Sequence, residues 1–196
     1  MAPSAAVPLL DHTDPLPGHP RRVLVAGTSG SGKTTLAARI GVALDAPHVE
    51  IDGLYHGPGW VPRTTFDEDV RVLVARDAWV TEWQYSGARP VLAGRADLMV
   101  WLDLPVATVM RQVVRRTLRR RVRRERLWHG NVEPPLLTIL TDDEHIIRWA
   151  WSTRHKTAAL IGELRQARPE LPVVRLRSHA EAARWLAGPL AEAVRR

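Results

Sequence analysis

The sequence predicts a three-layer α/β/α fold in which helices cover both faces of a five-stranded parallel sheet. Three observations carry that expectation. Short, continuously apolar runs recur along the chain, such as Val23-Leu24-Val25-Ala26 and Leu98-Met99-Val100-Trp101-Leu102. A strand without polar alternation is buried on both faces, as in a parallel sheet sandwiched by helices. Segments with apolar residues at helical spacing separate these runs, so each strand reaches the next through a helix. A glycine-rich loop, Gly27-Thr28-Ser29-Gly30-Ser31-Gly32-Lys33-Thr34, joins the first run to the first helical segment.

Taken in order, residues 1–20 contain five prolines and no sustained periodicity, and read as a flexible leader before a single domain at 21–196. Arg22–Ala26 is the first strand. Leu36, Ile40, Ala43 and Leu44 mark the first helix. His48-Val49-Glu50-Ile51 is expected as the second strand. Thr65 and Glu68 form a capping box ahead of a helix with Phe66, Val70, Leu73 and Val74 on one face. Trp79–Thr81 and Leu98–Leu102 are the third and fourth strands. Asp103 and Pro105 open a long helix carrying Val106, Val109, Met110, Val113, Val114 and Leu118. Asp103 fits a metal-binding carboxylate at a strand end, but its place before a proline favours a helix N-cap. Gly130, Pro134 and Pro135 break the pattern; Thr141 and Glu144 cap a further helix with Ile146, Ala150, Leu160, Ile161 and Leu164. Val173–Leu176 is the fifth strand, and Ser178 with Glu181 boxes the last helix.

Composition narrows the function classes. With no cysteine, disulfides, thiolate metal sites and cysteine nucleophiles are excluded. No apolar run approaches the ~20 residues that span a bilayer, and no basic-then-apolar start marks a signal peptide, so a soluble cytoplasmic protein with no membrane partner is expected. The formal net charge of +7 points to a nucleic-acid partner until its distribution is read. Arg111–Arg126 holds nine arginines and one acid, Glu125, a local +8 that leaves the rest of the chain at −1. The basicity belongs to one helical segment, which either faces solvent or binds phosphate.

The glycine-rich loop matches G-x-x-x-x-G-K-[ST] in the context that motif needs, between a strand and a helix. Its glycines admit conformations closed to other residues, so consecutive N–H groups can converge on phosphate oxygens at a helix N-terminus. Lys33 brings an ammonium to the β- and γ-phosphates, and the Thr34 hydroxyl suits Mg²⁺. At this composition a chance match is on the order of one in a thousand. Nucleoside triphosphate binding follows. Asp52 reads as the group that orients or deprotonates a phosphoryl acceptor, or as a turn aspartate before Gly53; we take the first. Arg115 and Arg119 fall on one side of a helix, with Arg116 and Arg120 in the adjacent row, and a guanidinium suits the charge of a transferring phosphoryl group. Arg115, Arg119 and, beyond the segment, Arg154 are the candidates. Trp60, Trp83 and Trp128 fall in expected loops, where an aromatic ring either stacks on a substrate ring or packs; Trp79 and Trp101 fall in strands and read as core.

The stretches GTSGSGKTTLA (27–37), IDGLYHGPGW (51–60), TEWQYSG (81–87), ADLMVWLDLP (96–105) and LRSHAEAARWL (176–186) resemble P-loop proteins related to adenylate and shikimate kinases, of the topology-modulation type. The resemblance runs from about Arg22 to Leu186. It implies the strand order of nucleoside-monophosphate kinases, ATP·Mg²⁺ on Gly27–Thr34 and Thr35, and an arginine-rich helical lid at about 115–141. It also implies that Arg177 and Ser178 lie beside the adenine. Glu82 then partners Mg²⁺ through water, and Asp52, Trp60 and Trp83 meet the acceptor. One departure stands out: such proteins end the third strand in aspartate followed by Gly-Asn, where this chain has Glu82-Trp83-Gln84. The expected activity is transfer of the ATP γ-phosphoryl group to a small acceptor. The rival reading is an ATP-binding regulatory protein whose arginine segment contacts DNA or RNA.

Overall fold

The computed structural model describes residues 9–123 and 156–196. Five strands form one sheet: β1 (Leu9–Leu10), β2 (Arg22–Gly27), β3 (Trp79–Glu82), β4 (Leu98–Leu102) and β5 (Val173–Leu176). Their order is β1-β5-β4-β2-β3, and every pairing is parallel. The chain passes from β2 to β3 on one side and then returns across β2 to β4. That reversal puts the carboxyl end of β2 at the point where open α/β sheets form their ligand crevice.

The helices among the described residues are α1 (Lys33–Leu44), α2 (Ile51–Tyr55), α3 (Phe66–Ala75), α4 (Ala88–Arg95), α5 (Val106–Arg123), α6 (Lys156–Ala167), α7 (His179–Trp185) and α8 (Ala191–Arg195). A single 3₁₀ turn covers Pro58–Trp60, and a π-helical turn containing Pro189 links α7 to α8. Because successive strand side chains point to opposite faces, each apolar run feeds two cores. Val23, Val25, Val100, Leu102, Val174 and Leu176 pack with α1, α5 and Trp185 on one face. Leu24, Ala26, Met99, Trp101 and Val173 pack with α3, α4 and Ile161 of α6 on the other. Each such Val, Leu or Met side chain contributes roughly 1.5–3 kcal/mol on burial, which is why these strands are apolar throughout.

The expected sheet is present, but one strand is exchanged. His48–Ile51 is not a strand. His48 forms only an isolated bridge to Val80, and Ile51 begins α2. The ladder stops because the Ile51 N–H is taken by the Glu82 carboxylate instead of a strand carbonyl. The fifth strand comes from the stretch expected to be a flexible leader: Leu9–Leu10 pairs with Val173–Val174, and Leu16 is buried in the core. A sheet edge offers unpaired backbone groups to any short extended segment, and the prolines that follow end this strand rather than prevent it.

Two local expectations change as well. Thr65 does not cap α3; its hydroxyl donates to Asp69 Oδ2 at 2.9 Å, and Glu68 pairs with Arg71. Asp103 does not cap α5. It accepts hydrogen bonds from the Arg175 guanidinium, which also lies over the Trp101 ring. Ser178 does cap α7: its Oγ accepts from Glu181 N at 3.1 Å, and Glu181 Oε2 accepts from Arg177 N at 2.7 Å. Thr141, Glu144 and the breaks at Gly130, Pro134 and Pro135 lie outside the described residues.

Candidate active site

Gly27 ends β2, and the loop after it turns on two glycines in the left-handed region, Gly30 at φ +81° and Gly32 at φ +96°. A Cβ on Gly30 would stand 2.1 Å from Val113 Cγ2 of α5, so the loop is pressed against that helix. The Ser31 N–H donates to the Thr28 carbonyl at 3.0 Å, and α1 starts at Lys33 with no acidic residue in its first turn. The positive end of that helix is left for an outside anion.

Lys33 is buried, and among the described residues its Nζ reaches only the Thr28 carbonyl, at 3.4 Å. Burial pushes its ammonium below the ordinary lysine range, while the charges of Asp52 and Glu82 work to raise it and that of Arg116 works to lower it. Groups from α2, β3 and α5 thus converge electrostatically on one lysine.

The loop fits a polyphosphate. Ser31 Oγ is wholly buried and has no hydrogen-bond partner among the described residues, although a buried hydroxyl ordinarily has one. A Cβ on Gly32 would meet only His179 Cε1, at 3.5 Å, so the backbone there is open to close approach. Thr28, Ser29 and Thr34 are half-buried along the loop, whereas Thr35 is exposed. Arg177 and Ser178 stand at the start of α7, whose next residue, His179, is the one beside Gly32 and is hydrogen-bonded to Gln112 of α5.

A second polar cluster is built around Asp52. Its Oδ1 accepts from Gln84 Nε2 at 2.9 Å and from the Tyr85 hydroxyl at 2.6 Å, while Oδ2 has no hydrogen-bond partner among the described residues. Burial and the Asp52 charge push the Tyr85 phenol far above its ordinary range, so it remains a donor. Tyr85 stacks on Tyr55 at 4.0 Å between ring centroids, and the His56 ring lies edge-on to Trp60 at 5.2 Å. Trp60 and Tyr85 both hold positive φ, 64° and 59°, a strain of about 1–3 kcal/mol each that clusters at functional sites. Glu50, placed in the expected second strand, is instead exposed ahead of α2.

Trp83 is not open to a substrate ring. It is 8% exposed, and its indole N–H donates to the Arg89 carbonyl at 3.2 Å. Glu82, 2% exposed, has both carboxylate oxygens engaged, by His48 Nε2 and by the Ile51 N–H. Burial works to raise its pKa, but these hydrogen bonds outweigh burial and hold the carboxyl low. On α5, Arg115 and Arg119 are exposed, whereas Arg116 is half-buried and within electrostatic reach of Lys33. Arg154, Trp128 and the rest of the expected lid beyond Arg123 lie outside the described residues.

No protein-family model matches this chain, and no curated protein matches its sequence. Solved structures do. A gluconokinase from Sinorhizobium meliloti 1021 superposes with a TM-score of 0.51 at 20% identity, over 91% of this chain and 95% of that one. The fold is that of the P-loop kinases. A shikimate kinase from Bacteroides thetaiotaomicron covers 86% of this chain and 95% of its own at 10% identity, with a TM-score of 0.47. A sugar kinase from Janibacter sp. HTCC2649 covers 96% and 92% at 21% identity, with a TM-score of 0.43. Gln84, Tyr85, His48, Gln112 and His179 border the loop, Glu82 or Asp52 and are residues that periodicity and motif spacing did not single out. Their partners are remote in the chain. The positive φ of a tyrosine gives no signal in the sequence. Among the described residues no helix is long and apolar enough to cross a membrane.

Proposed function

We propose that this protein transfers the γ-phosphoryl group of ATP to a hydroxyl of a small molecule, either a nucleotide or a hydroxylated metabolite. It acts in the cytoplasm, as an adenylate kinase-related protein of the topology-modulation type. The observation that carries the reading is Lys33: it lies buried in the phosphate loop with its Nζ at the Thr28 carbonyl, and the charges of Asp52, Glu82 and Arg116 act on it.

The loop amides and Lys33 hold the polyphosphate, and Arg177 and Ser178 border the base. Thr34 would hold Mg²⁺, which when bound neutralises charge on the phosphates. Glu82, expected beside the metal, has its oxygens committed elsewhere, so no part of the reaction is assigned to it. Asp52 Oδ2 takes the proton of the acceptor hydroxyl as that oxygen bonds to the γ-phosphorus. The bond to the β-γ bridging oxygen breaks, and ADP leaves. Trp60 and the Tyr55–Tyr85 stack form a wall beside the acceptor. Arg116, half-buried, supports the loop side of the transferring group ahead of the exposed Arg115 and Arg119; Arg154 remains the candidate beyond the arginine segment. This placement of Arg116 favours phosphoryl transfer over contact with DNA or RNA.

Calorimetry with ATP and Mg²⁺, followed by ADP release measured against nucleosides, nucleoside monophosphates and hydroxy acids, tests the reading. Saturable ATP binding and acceptor-dependent ADP release, lost in Asp52→Asn, are expected. Absence of binding by any purine triphosphate overturns it.

A further inference from the structure

We infer that His48 and Glu82 are positioning residues that set where Asp52 stands; the inference rests on reading Asp52 as the group that takes the acceptor's proton. Ile51 is the first residue of α2, and its N–H is one of those a helix start leaves without an internal partner. Glu50, at the N-cap, supplies no side-chain cap. Glu82 does so from β3: its Oε2 accepts the Ile51 N–H at 3.1 Å across 31 residues of sequence. Oε1 accepts from His48 Nε2, also at 3.1 Å. Asp52 is the next residue along, so the capped backbone carries it.

The surrounding contacts tie the same segment to β3. Val49 N–H donates to the Val80 carbonyl at 2.9 Å, and Thr81 Oγ1 donates to the Val49 carbonyl at 2.7 Å. Gly41 of α1 permits the close approach, because a Cβ there would lie 2.8 Å from the Ala46 carbonyl and 3.3 Å from His48 Cβ. A five-residue helix is too short to fix its own orientation, so its direction is set by what holds its first turn. Past Glu82 the same chain supplies Gln84 and Tyr85 to the Asp52 side chain. The end of β3 therefore holds Asp52 twice, through its backbone by Glu82 and through its carboxylate by the next residues. His48 fixes Glu82: without that donor, a 2% exposed carboxylate would have one oxygen facing the interior unpaired.

The test compares wild type, His48→Leu, His48→Gln, Asp52→Asn and His48→Leu/Asp52→Asn. In His48→Leu, amide exchange at Ile51 should rise at least tenfold while exchange at Ser31 and Leu36 stays within twofold. ATP affinity should stay within twofold and acceptor-dependent turnover fall about tenfold. His48→Gln, which keeps a side-chain N–H donor, should recover most of that loss. In the Asp52→Asn background, His48→Leu should cost less than twofold more, since there is no carboxylate left to position. Losses that multiply, or unchanged exchange at Ile51, overturn the inference. A wild type that binds ATP but phosphorylates no acceptor overturns the kinase reading instead, and the exchange measurement still decides whether His48 holds α2.

Discussion

The Tyr85 hydroxyl stands 2.6 Å from Asp52 Oδ1, and Tyr85 holds a backbone φ of 59° to put it there. A hydrogen bond to a charged group is worth about 1.5–3 kcal/mol, enough to offset the strain. The bond engages Oδ1 and leaves Oδ2 without a hydrogen-bond partner among the described residues, the oxygen that the proposed reading turns toward the acceptor. Tyr85→Phe should lower turnover about tenfold with ATP affinity unchanged. Asp52→Asn should lower it by roughly 10²-fold or more, within the range for loss of a general base. Steady-state kinetics beside calorimetry separate the two effects. A Tyr85→Phe protein that lost ATP binding instead would place Tyr85 on the nucleotide side.

Lys33 makes a prediction about pH. Burial holds its ammonium below the ordinary value of 10.5 in the folded chain. The folded state therefore disfavours the charged form. That penalty is present in full below the folded pKa and vanishes as pH rises past 10.5. Ligand-free Lys33→Met should unfold at a higher temperature than wild type at pH 7, with the gap closing toward pH 10.5, while ATP no longer stabilises the variant. Thermal unfolding at both pH values with and without ATP checks this; equal or lower stability of the variant at pH 7 counts against the buried ammonium.

Gly30 is held at φ +81° with Val113 pressed against it. Gly30→Ala adds both backbone strain and a clash, so the loop must shift at a cost of about 1–3 kcal/mol. ATP affinity should drop at least tenfold. Gly59 is also at positive φ but has open space around it, so Gly59→Ala should leave ATP affinity within twofold. Calorimetry on the two variants reads the difference.

Arg116 and Arg115 are neighbours in sequence with opposite surroundings, half-buried toward Lys33 and exposed. Arg116→Ala should lower turnover about 10–100-fold, whereas Arg115→Ala should stay within about threefold, since removing an exposed charge changes little. Equal losses would mean that the α5 face seen here is not the one that serves the reaction.

Features whose determinants lie within a dozen consecutive residues were legible in the sequence alone. The β2 run, the glycine loop after it, the all-apolar β4 and the Ser178 cap each specify themselves by local pattern. Backbone conformation and burial on both faces are written there directly. The tertiary structure decided which partner each exposed group found. Leu9–Leu10 rather than His48–Ile51 became a strand because β5 had an open edge and Glu82 captured the Ile51 N–H. Asp103 went to Arg175 across 72 residues, and Trp83 folded inward onto the Arg89 carbonyl. The same holds for the α5 register that selects Arg116 and for the Gln84 and Tyr85 contacts that orient Asp52. A periodic pattern states which side of an element is apolar. It does not state which remote donor or acceptor that side will meet, because such pairings depend on distances set only when the sheet and its helices have packed.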